Sequence, residues 1–225
     1  MAFVFDHKTS GEIMVDAIWR TQSVGGGSFT SVAGTNMEMV VTKQVGRTTI
    51  TVRGPETQSR PAPIPEDAEF VGIIFKIGAY VPPLPTSNLV NGGLNLPDAS
   101  SKRFWLNGSA WEFPTFDNAD VFIDRLVRQG LLMRDPVVAA TLEGQAKDLS
   151  PRSVQRRFLH ATGLTYKAIQ QIERAKKAFA LLQQGVSILD TTYETGYFDQ
   201  SHLTNSLKHF VGQTPSQIVK QSQPE

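Results

Sequence analysis

The sequence predicts an α+β protein: an N-terminal antiparallel β-barrel or sandwich, then an all-α domain with two helix-turn-helix motifs joined by a long helix. Two observations carry this prediction. Near residue 115 the 225-residue chain passes from short Val/Ile/Thr/Phe runs, broken by turn residues, to helical periodicity. Within the helical part, the pattern of Ser150 to Thr165 recurs from Asp199 to Thr214. Both copies open on a cap-forming residue (Ser150, Asp199) and carry apolar positions four apart (Val154 and Phe158, Leu203 and Leu207). Both close on Gly-x-Thr, at Gly163 and Thr165 and at Gly212 and Thr214. Each therefore reads as a short helix with an N-cap, one buried stripe and a glycine C-cap.

In the first part, Glu38 to Thr42, Arg47 to Arg53 and Phe70 to Ile77 read as strands. Arg47 to Arg53 alternates, with Thr48, Ile50 and Val52 on one face and Thr49, Thr51 and Arg53 on the other. Gly25 to Gly27, Pro61 to Pro65 and Pro82 to Pro85 break the runs, their prolines too dense for a helix or a central strand. Trp19, Trp105 and Trp111 are expected as core anchors. Asp117-Asn118-Ala119-Asp120 opens a helix over 117–132. Phe122, Leu126 and Leu131 make it more apolar than one face needs, so it is expected to couple two domains or to pair protomers.

Asp135-Pro136 caps the next helix, which ends in a polar turn at Gln145 to Asp148. Ser150-Pro151 starts its partner. A long helix follows from Tyr166 to about Gln184, with Ile169, Ile172, Ala175, Phe179 and Leu182 on its buried side. Ser187 to Thr195, a turn at Gly196-Tyr197-Phe198 and a helix over Asp199 to Val211 form the second pair. Thr214-Pro215-Ser216-Gln217 has the capping-box form. The expected division is a β-rich domain over 1–134 and an α domain over 135–225, with motifs at 136–162 and 187–211.

Composition sets mild limits. The chain is 40% hydrophobic and 19% charged, as in ordinary globular proteins. Absence of cysteine excludes disulfides, thiolate metal sites and cysteine nucleophiles. No apolar run approaches the roughly 18 residues of a membrane helix, and Met1 to Asp6 lacks the form of a signal peptide, so the expected location is cytoplasmic, with no membrane partner. Net charge is +1 overall, −1 over residues 1–134 and +2 over 135–225, which permits nucleic-acid binding without indicating it. No glycine-rich phosphate loop, nucleophile elbow or spaced acid/base pair is present, and His7 is the only histidine before residue 135. No enzymatic activity, cofactor or metal is expected. A β-domain enzyme, or an interaction module working through protein contacts, are the alternatives. Two polar-faced helices at a fixed spacing fit a protein that reads two successive places on DNA.

Three stretches now support a resemblance. They are Leu149-Ser150-Pro151-Arg152-Ser153-Val154-Gln155-Arg156-Arg157-Phe158, Gly196-Tyr197-Phe198-Asp199-Gln200-Ser201-His202-Leu203, and Lys208-His209-Phe210-Val211-Gly212-Gln213-Thr214-Pro215. Residues 148–219 resemble the DNA-binding domain of the AraC family of bacterial transcription regulators. Arg53-Gly54-Pro55-Glu56 and Phe104 to Trp111 look like a cupin-like N-terminal domain found on many such regulators in actinobacteria, a β module for ligand binding or dimerisation. The resemblance implies base contacts from Arg152, Gln155 and Arg156 in the first motif. It implies the same for Gln200, Ser201, Thr204 and Asn205 in the second. Arginine offers two donors to guanine and glutamine pairs both ways with adenine. Ser150, Arg157, His160, Lys167 and Lys208 are expected at phosphates, with an ion pair from Arg157 as the alternative. The long helix would set the two readers about 34 Å apart, one turn of the duplex.

The implied protein is an activator that binds double-stranded promoter DNA, works with RNA polymerase, answers a small-molecule effector and pairs as a homodimer. DNA-repair methyltransferases sharing this helical domain need a reactive cysteine, which is missing here. Thr191 and Thr192 stand where the family places an aliphatic residue and Ala, and Leu203 and Leu207 where aromatics are usual. Softer packing is therefore expected in the second motif.

Overall fold

The structure, a computed structural model, describes residues 6–8, 14–145 and 149–222. Residues 146–148 of the expected polar turn lie outside this set. The strands are β1 (Asp6–Lys8), β2 (Val15–Gln22), β3 (Gly27–Ser31), β4 (Glu38–Gln44), β5 (Arg47–Arg53), β6 (Arg60–Ile64) and β7 (Ala68–Phe75). They continue as β8 (Ala79–Tyr80), β9 (Gly93–Asn95), β10 (Asp98–Ser100), β11 (Arg103–Leu106), β12 (Ser109–Glu112) and, after the first helix, β13 (Met133–Arg134). The helices are α1 (Ala119–Arg128), α2 (Pro136–Leu142), α3 (Pro151–Thr162), α4 (Tyr166–Gln183), α5 (Ile188–Glu194), α6 (Gln200–Phe210) and α7 (Pro215–Ser222).

Two compact units form. The first joins Met1–Gly27, Asn36–Pro55 and Pro63–Thr165; the second joins Ser28–Thr35, Glu56–Ala62 and Tyr166–Glu225. By contacts, the first unit runs on through α2 and α3 as far as Thr165. The cause is packing. The first motif sits on the β region, where a Cβ added to Gly78 would lie 2.7 Å from Val138 of α2. The second motif takes two short segments of the first part into its own unit.

In the first unit a six-stranded sheet runs β1-β2-β7-β4-β5-β9, with antiparallel pairing throughout the recorded registers. Alternation in β5 falls as expected, with Ile50 and Val52 fully buried. Met39, Val41, Ile73 and Phe75 of β4 and β7 belong to the same core. Phe104, Leu106 and Trp111 of the three-stranded sheet β10-β11-β12 close this core together with α1. Open sheets facing across a core make this a sandwich rather than a closed barrel. Among the tryptophans only Trp111 is fully in the core. Trp19 is half-buried and lies over Gly72, where a Cβ would meet its ring at 2.0 Å. Trp105 is 46% exposed, because β11 alternates and spends its inward positions on Phe104 and Leu106.

The helix expected over 117–132 stops at Arg128. Gly130 turns the chain with φ 66°, and Met133–Arg134 leave as β13 to pair with β8. Phe122, Leu126 and Leu131 all point into the first unit's core. That corrects the expectation that their surplus apolar surface couples domains or pairs protomers: it is consumed by the sheet.

In the second unit, α4 lies beneath α5, α6 and α7. Ala178, Leu182, Tyr197, Leu203, Leu207, Val211 and Ile218 form its core. Leu203 and Leu207 fill their places without residual exposure. The cost of the unusual motif falls instead on Thr191, which is fully buried with a hydroxyl that has no hydrogen-bond partner. Thr192 avoids this by donating to Ile188 O at 2.7 Å. Among the described residues strands β3 and β6 form a two-stranded sheet of their own, which accommodates Pro61 and Pro63. The capping box at α7 is formed, with Thr214 N donating to Gln217 Oε1 at 2.8 Å and Gln217 N to Thr214 Oγ1 at 3.2 Å.

Candidate nucleic-acid interface

Helix α3 begins at Ser150, whose hydroxyl accepts from Ser153 N at 3.2 Å, and ends at Gly163 with φ 72°. Phe158 and Ala161 are buried, which turns the opposite side outward. Arg152, Gln155 and Arg156 are exposed on that side. With Ser153 and Leu159 they line a shallow surface depression of about 350 Å³. Among the described residues, neither Arg152 nor Arg156 has an acidic partner. Their guanidinium donors have no partner among the described residues and face an external acceptor.

Arg157 is different. Its Nε lies 2.9 Å from Asp135 Oδ2, a close ion pair whose N–H is not aligned as a hydrogen bond. Asp135 also caps α2, its Oδ1 accepting from Val137 N at 2.9 Å and Val138 N at 3.2 Å. One carboxylate thus braces both helices of the first motif. His160 is exposed, with its ring edge-on to Tyr80 at 5.2 Å and its carbonyl accepting from Thr86 Oγ1 at 2.7 Å. Of the residues expected at phosphates, Ser150 is therefore spent on capping and Arg157 on the brace, while Lys167 and Lys208 are solvent-facing.

In the second unit Asp199 caps α6, accepting from His202 N at 2.7 Å. Gln200, Ser201 and Asn205 are exposed. Thr204 is partly buried and donates to Gln200 O at 2.8 Å, which leaves its oxygen as an acceptor only. The turn before α6 is rigid. Tyr197 is buried, its hydroxyl 2.7 Å from Ser206 Oγ and its ring stacked by Arg174 at 4.4 Å. Phe198 points the other way and is 92% exposed. Sequence reasoning treated it only as part of the turn. Leu159 was likewise missed, although it lies three residues beyond Arg156 and so on the same helical face.

These features define a class: a helix-turn-helix protein whose first motif carries a polar, cationic face on its second helix. Comparison narrows it. Residues 145–221 match the family model of a helix-turn-helix domain. That segment, about a third of the chain, is a helix-turn-helix domain. Among solved structures, ToxT from Vibrio cholerae aligns over 96% of this chain and 98% of its own, at 9% identity and a TM-score of 0.39. No curated protein sequence matches the chain.

Proposed function

We propose that the protein reads promoter DNA through Arg152, Gln155 and Arg156 of α3, with Gln200, Ser201, Thr204 and Asn205 of α6 as a second, uncharged reader. Lys167 and Lys208 hold phosphates. The observation that carries this reading is the row of unpaired, solvent-facing donors on α3, one side of a helix whose other side is locked in a core. It acts as an activator with RNA polymerase as partner, under control of a small molecule taken up by the β unit. An open groove of about 1020 Å³ supports that control. It is lined by Val41, Val71 and Phe113 together with Arg20, Lys43 and Lys102, a mixture of apolar and polar groups suited to a small ligand.

The test is selection of random duplex DNA by the full chain, then binding of the winner across a salt series. The expected result is a motif spanning two major-groove segments, with affinity falling steeply as salt rises. Absence of any selected sequence with folded protein would refute it. The exposed Leu189 and Tyr193 of α5 favour the second reading, an interaction module working through protein contacts.

A further inference from the structure

The two recognition helices end alike. His160 in α3 and His209 in α6 hold matching positions of the repeat, ten residues past the cap. Each lies in the last turn, where backbone carbonyls lack an intrahelical partner. In the first unit Thr86 Oγ1 donates to His160 O at 2.7 Å. In the second, Ser59 donates to His209 O through its hydroxyl at 3.1 Å and its backbone N–H at 2.9 Å. Ala33 N adds a bond to Phe210 O at 2.7 Å.

The glycine that closes each copy is pressed against the same donor segment. A Cβ on Gly163 would lie 3.0 Å from Thr86 O, and one on Gly212 would lie 3.1 Å from Ser59 Oγ. Both glycines have positive φ, 72° and 83°, so neither position takes a larger residue without strain.

The two donors are linked through the chain that leaves β5. Gly54 follows that strand and approaches Leu89 so closely that a Cβ would lie 2.4 Å from Leu89 O. Leu89 is a core residue and directly follows the 3₁₀ turn Thr86–Asn88. Further along the same segment Glu56 is held by Ser31 Oγ at 2.6 Å and by Arg60 at 2.9 Å, and Ser59 comes next. This is the Arg53-Gly54-Pro55-Glu56 stretch, for which base reading has no use.

We infer that Thr86 and Ser59 are positioning residues for DNA reading. Each fixes the C-terminal end of the recognition helix in its own unit. Helices of this length are levers of roughly 17 Å at about 1.5 Å per residue, so a small shift at the anchored end re-aims the side chains at the other. The inference rests on the DNA-reading function proposed above.

Thr86→Val and Ser59→Ala, with Thr86→Ser and Ser59→Thr as conservative partners, are compared in the full chain. Affinity is measured for the selected duplex, for single-base variants in each segment and for unrelated duplex, beside the melting temperature. Thr86→Val is expected to lose about fivefold on the selected duplex, the value of one hydrogen bond, with binding to unrelated duplex unchanged. Base preference should relax only in the segment read by α3, and Thr86→Ser should restore it. Ser59→Ala should relax only the segment read by α6. Unchanged preference in both variants would overturn the inference. So would an equal loss on every duplex that tracks a lowered melting temperature without rescue by serine. If the wild-type chain selects no sequence, the regulator reading falls as well, an outcome separate from the other two.

Discussion

Arg156 and Arg157 are neighbours with opposite assignments, and replacing Arg157 separates them. In the Arg157→Ala variant the Asp135 carboxylate, whose side chain is 2% exposed, keeps its two N–H donors at the start of α2 but loses its counter-charge. A hydrogen bond to a charged group contributes about 1.5–3 kcal/mol. The Arg157 side chain is 43% exposed and its N–H is misaligned, so water screens part of this. The expected loss is therefore about 1–2 kcal/mol. For a body of this size that is a fall in Tm of about 2–8 °C. Urea unfolding supplies the assay, in a cycle with Asp135→Asn, which keeps a capping oxygen but removes the charge. A coupling of about 1 kcal/mol is expected. Additive single losses, or an Arg157→Ala variant of wild-type stability that binds DNA as weakly as Arg156→Ala, would refute the brace.

Other outcomes follow from the same structure. Arg156→Ala should keep its stability within about 0.5 kcal/mol while costing about 1–3 kcal/mol at one base pair, and equal weakening on all duplexes would show a phosphate contact instead. Thr191→Val should stabilise the second unit by about 1 kcal/mol, because it deletes a buried hydroxyl without a partner; a loss seen by thermal unfolding would show that the hydroxyl is satisfied. Leu126→Ala should destabilise by about 2–5 kcal/mol with no change in oligomeric state, since Leu126 is fully buried in the first unit; sedimentation that revealed a dissociated dimer would restore the pairing role of α1. Phe198→Ala should leave stability unchanged and weaken binding to duplexes with thymine beneath the start of α6, an effect uracil in place of thymine would reproduce.

Local patterns made the helices and their caps legible in advance. Ser150, Asp135 and Asp199 all cap the helices they precede, because a side-chain oxygen beside a free N–H needs no distant partner. The same holds for β5, whose alternation decides which residues are buried. The outward row of Arg152, Gln155 and Arg156 was equally readable, since helical period and one buried stripe together place a residue on the far face. What could not be read were choices made between elements distant in sequence. Whether Arg157 meets a phosphate or Asp135 depends on how α2 lies against α3. Whether Phe122 and Leu126 are surplus depends on the sheet that receives them.

The amino-acid order by itself determined the two capped helix pairs, the exposed polar face of α3 and the absence of cysteine chemistry, because each depends on neighbours within a few turns of chain or on composition alone. Only the tertiary structure decided that α2 and α3 pack against the strands of the first unit. Only it showed that Thr86 and Ser59 close the ends of the two recognition helices. Hydrogen bonds spanning 74 and 150 residues leave no trace in local periodicity, since either partner would be the same residue without the other.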